Sequence, residues 1–138
     1  MRGLRGNAEA AHRIAQGKLD EKIEVHSHNE LGEIESALAE VQSNLHAMID
    51  DASLLAKAAV EGRLSTRADA SRHQGDYARI VQGVNDTLDA VIGPLNVAAD
   101  YVDRIAKGAI PTKITDTYNG DFNTLKNNLN TAIDAVNG

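Results

Sequence analysis

The chain has 138 residues, 42% of them apolar and 25% charged, with a net charge of −6; this balance excludes a disordered chain and offers no basic face for a nucleic-acid backbone. It contains no Cys, no Trp and only four aromatics, which excludes disulfides, thiolate metal sites and cysteine nucleophiles and leaves an aliphatic core. No apolar run approaches the roughly 20 residues that span a bilayer, and no signal-peptide pattern opens the sequence.

Taken in chain order, the first predicted element is a helix that ends at Gly17. A polar connector follows, with two apolar pins at Leu19 and Ile23, and it closes on Glu30-Leu31, where a second helix begins. From there Leu31, Ile34, Leu38, Val41, Leu45, Met48, Ala52, Leu55 and Ala59 alternate in steps of three and four, a heptad seam running to Gly62. A second connector with Leu64 and Ala68 leads to Asp76-Tyr77 and a third helix, whose seam runs Val81, Val84, Leu88, Val91, Leu95, Ala98, Val102, Ile105 up to Gly108. The third connector carries Ile110 and Ile114, and Asp121-Phe122 opens the last helix with Phe122, Leu125, Leu129, Ala132 and Val136.

Gly17, Gly62 and Gly108 stand 45 and 46 residues apart in matching contexts, so the chain reads as three copies of one unit: 1–48, 49–94 and 95–138. Each glycine predicts a left-handed helix end, and the acidic residues Glu30, Asp76 and Asp121 suit the positive end of a helix dipole. Ile49 beside Met48, Ala56 beside Leu55 and Ile80 beside Val81 make a seam shifted by one residue fit nearly as well near the junctions. Pro94, after Gly93, predicts the start of the third unit's first helix and a bend or hinge there, while Gly83 weakens the helix that contains it.

Side chains that could carry chemistry form no convincing constellation. His26 and His28 would share a face of an extended connector but lack a third ligand, so they read as a solvated loop and no metal site is expected. Ser27-His28-Asn29-Glu30-Leu31 superficially resembles a phospho-accepting histidine segment, but Asn29 intervenes and the following basic residue and proline are missing. His12 and His46 are expected to face solvent or a bundle edge. Asp50-Asp51 and Glu33-Glu35 lie in heptad-patterned stretches and are expected on solvated faces, so no catalytic residue and no cofactor site is assigned.

A first helix closed by glycine, a connector with two pins and an acidic residue before a second heptad helix resemble the HAMP domain family along essentially the whole chain. Pro94-Leu95 stands fourteen residues before Gly108, as the family's opening Pro-Leu does, and Glu30-Leu31-Gly32 resembles its acidic-Leu-Gly signature. The first two copies lack the proline, and Ala68 is a weak second pin. The resemblance implies an all-α fold: a parallel homodimer of three four-helix coiled-coil modules stacked end to end. It also implies a non-enzymatic relay between input and output domains of the same chain, as in tandem HAMP arrays of a methyl-accepting chemotaxis transducer or a sensor kinase.

On this reading the signalling and structural residues are Gly17, Leu19, Ile23, Glu30, Gly62, Leu64, Asp76, Pro94, Gly108, Ile110, Ile114 and Asp121. The implied partners are a second copy of the chain, the adjacent domains and, indirectly, a chemotaxis or sensor kinase, with no nucleic acid and no membrane insertion by this segment. The implied location is cytoplasmic, whether or not the parent is anchored in the inner membrane. A rigid coiled-coil spacer without switching is the alternative, and a ligand-sensing bundle would need a polar cavity that an aliphatic seam does not suggest. Met1 and Asn137-Gly138 read as edges of a piece cut from a longer chain.

Overall fold

The computed structural model describes residues 4–23 and 29–137; the expectations for Met1, His26, His28 and Gly138 fall outside the described residues. Among the described residues the fold is all-helical: α1 (Leu4–Ala15), α2 (Glu30–Val60), α3 (Gly75–Ala106) and α4 (Gly120–Asn137), with a single 3-10 turn at Ala70–Arg72 and no strand. The chain divides into two compact units, Met1–Asn85 and Asp86–Gly138, and α3 contributes to both.

Each helix end has a local cause. At the start of α2, Asn29 is the cap, its side-chain oxygen accepting from the amides of Leu31 at 3.0 Å and Gly32 at 3.3 Å, which satisfies donors the helix itself leaves open. Glu30 and Glu33 fill the first turn, where the helix dipole favours anions. α3 and α4 both start on a glycine with φ of +53°, Gly75 and Gly120, with Asp76 and Asp121 next in line. The acidic residues thus sit in the first turn in all three cases.

Gly17, Gly62 and Gly108 have φ of 83°, 80° and 80° and close their helices with one hydrogen-bond pattern. In the last, the Gly108 amide donates to the Ile105 carbonyl at 3.1 Å and the Ala109 amide to the Arg104 carbonyl at 2.9 Å. The pairs Gly17 to Ile14 with Lys18 to Arg13, and Gly62 to Ala59 with Arg63 to Ala58, repeat it. This is the Schellman arrangement, which returns the chain along the helix it has just left.

α2 and α3 both run unbroken through the sequence junctions between repeats, and Pro94 lies inside α3 rather than at a helix start. The expected third-repeat helix start at Pro94 is therefore absent: a proline removes one amide donor but the flanking turns continue. The second connector is also not extended throughout, since Asp69 caps the 3-10 turn that interrupts it.

Apolar positions divide into two neighbouring stripes. In the first unit Leu55, Ala58 and Val81 are buried while Ile34, Ile49, Ile80 and Val84 are exposed. In the second, Ile92, Ala98, Leu129 and Ile133 are buried while Val91, Leu95, Val102 and Val136 are exposed. The predicted seam thus slips by one residue in places. Ile92 is buried rather than Val91, and Ile133, at 1% exposure, takes the place expected of Ala132.

Candidate functional site: the pinned connectors

The three connectors run back along the helices, each fixed by an apolar pin and by a polar clamp. In the third repeat Ile114 packs with Ala98 and Leu129, with Tyr101, Tyr118 and Leu125 around them. In the second, Ala68 is buried and Leu64 half-buried; in the first, Leu19 is buried and Ile23 half-buried. Ala68, the weakest expected pin, is thereby held as firmly as Ile114, for a reason that lies outside its own side chain.

That reason is an asparagine. The Ala68 amide donates to the Asn85 side-chain oxygen at 3.0 Å, and the Asn85 side-chain nitrogen donates back to the Ala68 carbonyl at 2.8 Å. Ile114 and Asn130 repeat the exchange at 2.8 and 3.1 Å. Both asparagines stand nine residues into the helix from the acidic position, after Asp76 and Asp121. One side-chain amide offers a donor and an acceptor in one plane and so replaces a strand partner for a single connector residue. The common offset of the two asparagines was the available signal, but a polar residue on a helix ordinarily faces water.

The first repeat has Ala39 at that offset and uses other clamps. His46 donates through Nε2 to the Leu19 carbonyl at 2.8 Å, with Asp20 3.3 Å away, and the Gln42 side chain donates to the Glu21 carbonyl. His46 is therefore engaged with the connector rather than idle at a bundle edge, whereas His12 is exposed as expected. Asn7, buried on α1, reaches the Leu31 carbonyl at 3.4 Å and ties the two helices of this repeat.

Polar groups are also buried where the pattern suggested solvated faces. Asp51 is 7% exposed, unlike its neighbour Asp50, and its Oδ2 lies 2.6 Å from Nε2 of His73. Arg72 approaches the other oxygen at 3.6 Å. The adjoining Asp69 carboxyl is held below the usual carboxylate range, first by the Ser71 hydroxyl and then by the Ser71 amide, with the charges of Arg72 and His73 adding to it. No group of three or more His, Asp or Glu that could hold a metal ion occurs among the described residues, and the small cavity beside Asp51 is lined mostly by aliphatic side chains.

Of the predicted residues, the three glycines and the six connector positions fall in one repeated substructure. Pro94 instead lines a small apolar cleft in the second unit with Val97, Tyr118, Phe122 and Leu125. Glu30, Asp76 and Asp121 are exposed at helix starts.

Helices closed by one glycine turn, each followed by a connector pinned back onto the next helix, define a repeated helical linker module. HAMP domain profiles match residues 2–47 and residues 72–138. The chain belongs to the HAMP domain family and carries its domains in tandem. HAMP domains are non-catalytic signal-relay modules that sit between the input and output domains of receptors and kinases. No described helix is long and apolar enough to cross a membrane.

Proposed function

We propose that this chain is the cytoplasmic relay segment of a bacterial chemotaxis transducer or sensor kinase, and that it works as a parallel homodimer of three HAMP modules, 1–48, 49–94 and 95–138. The observation that carries the reading is the threefold recurrence of the glycine turn at Gly17, Gly62 and Gly108 with one hydrogen-bond pattern. The middle module, between the two stretches matched to the family, is supported by its Gly62 turn and by the Asn85 clamp, which repeat Gly108 and Asn130. The exposed stripe supports the dimer: Val91, Leu95 and Val102 follow one another by four and seven residues, the spacing of a coiled-coil seam.

In a dimer each module supplies two helices per chain to a four-helix bundle. An input that favours one helix packing in a module biases the next through the helix they share, as α2 and α3 run through the module junctions. The two adjacent apolar stripes supply two packings of similar quality. The test is output in the parent protein. Ile114→Asp, which places a carboxylate at a buried pin, and Gly108→Val, which puts a β-branched residue at a left-handed position, should each lock the output in one state. A wild-type dose-response in both would overturn the relay.

A rigid spacer is favoured by one observation, that α3 continues past Pro94 without a break. Cysteines at Val91 and Val102 in the parent separate the two readings. A relay gives cross-linking yields that change with stimulus, and a spacer gives the same yields in both conditions.

A further inference from the structure

Asp51 and His73 are a buried, hydrogen-bonded carboxylate–imidazole pair that the repeat does not require. Counted from the glycine turn, Asp51 corresponds to Val97 of the third repeat and to Gly6 of the first; counted from the next helix start, His73 corresponds to Tyr118. Val97 and Tyr118 pack on the apolar cluster of Ala98, Ile114 and Leu129. In the middle repeat the contact between first helix and connector end is thus a polar, hydrogen-bonded one, where Val97 and Tyr118 of the third repeat pack on an apolar cluster. The His73 and Asp51 side chains are 2% and 10% exposed and their nearest atoms 2.6 Å apart.

We propose that Asp51 and His73 form a proton-sensitive latch that ties the end of the middle connector to α2, closed on the acid side and loosened on the alkaline side. Imidazole is the side chain whose ordinary titration falls between about pH 5 and about pH 8. Protonated, His73 sets a full charge against the Asp51 carboxylate, and charge-assisted hydrogen bonds are the strong ones. After the proton leaves, a nearly enclosed carboxylate faces a neutral ring, which is costly away from water. Of the other charged groups here, Arg72, from the 3-10 turn, is 3.6 Å away on a largely exposed side chain and offsets this little, while Asp69, the cap of that turn, is bonded to Ser71 and adds a second negative charge that favours the protonated ring. From α3, Ile80, Val81 and Val84 line the cavity beside Asp51 and carry no charge.

His73 lies two residues before α3 begins, so opening the latch frees the segment that enters the next helix. A consequence for signalling rests on the relay reading; the latch itself does not, and the experiment reads only the latch. Amide hydrogen-exchange protection would be measured on the whole 138-residue chain at about pH 5 and about pH 8. Residues 68–74 are compared with 113–119, the same stretch of the third repeat. Protection in 68–74 should fall about tenfold with rising pH while 113–119 stays level.

His73→Gln keeps a donor but cannot titrate, and Asp51→Val with His73→Tyr installs the apolar pair of the third repeat; both should remove the pH dependence. A level wild-type profile, an equal fall in both connectors, or a fall that persists in His73→Gln would each overturn the latch. Should the double variant fail to fold, His73→Gln decides alone.

Discussion

At Gly108 a backbone φ of 80° is combined with open space where a Cβ would stand, so the residue is required by conformation and not by crowding. Gly108→Ala should therefore cost about 1–2 kcal/mol, the penalty of a left-handed residue with a Cβ, read as a shift of the urea midpoint. Gly83 sits mid-helix with equally open surroundings, and Gly83→Ala should stabilise by about 0.5–1 kcal/mol. Equal effects of the two substitutions would refute the conformational argument.

Asp69 gives a pH prediction with a definite sign. Its carboxyl is held below the ordinary value of 3.8, so its contribution is present above that value and lost as the pH falls through the lowered one. The Ser71 amide resonance should move on acidification below pH 3.8, and Asp69→Asn should abolish that movement. Such residue-scale features were unequally legible. The glycines could be read because few residues end a helix this way. Asp51 could not, because it and Asp50 are alike in sequence and only the helix rotation turns one toward His73.

Among the elements, the connectors depend on side chains of the helix that follows. Asn85→Ala leaves both the amide and the carbonyl of buried Ala68 without their partner, and should cost about 1–3 kcal/mol. Asn85→Asp keeps the acceptor but sets a buried carboxylate oxygen against the Ala68 carbonyl, so it should cost at least as much as Ala. An Asn85→Ala variant as stable as wild type would show that the clamp does not hold the connector.

Pro94 makes the opposite prediction for a helix. It withholds one amide inside α3, and Pro94→Ala should raise helicity and stabilise by up to about 3 kcal/mol, measured by circular dichroism and thermal melting. Heptad spacing located these helices well because their apolar positions repeat over many turns. It could not choose between Val91 and Ile92, or between Ala132 and Ile133, since α3 and α4 carry buried apolar residues with exposed ones directly beside them. Periodicity records the width of an apolar face but not which edge meets which partner.

For the whole molecule, the exposed stripe decides whether one chain is enough. Val91, Leu95, Val102 and Val136 are about half exposed in a single chain, and burying such side chains contributes about 1.5–3 kcal/mol each. A relay through helix packing requires that this stripe meet a second copy, because a helix with water on its seam has no alternative packing to select. The most direct measurement is sedimentation equilibrium of the chain beside its Leu95→Glu variant, with helicity followed by circular dichroism. The account predicts a strongly helical particle of twice the 14.7 kDa chain mass, shifted toward the single-chain mass by the charge at Leu95. A helical wild-type chain that sediments at 14.7 kDa would contradict it.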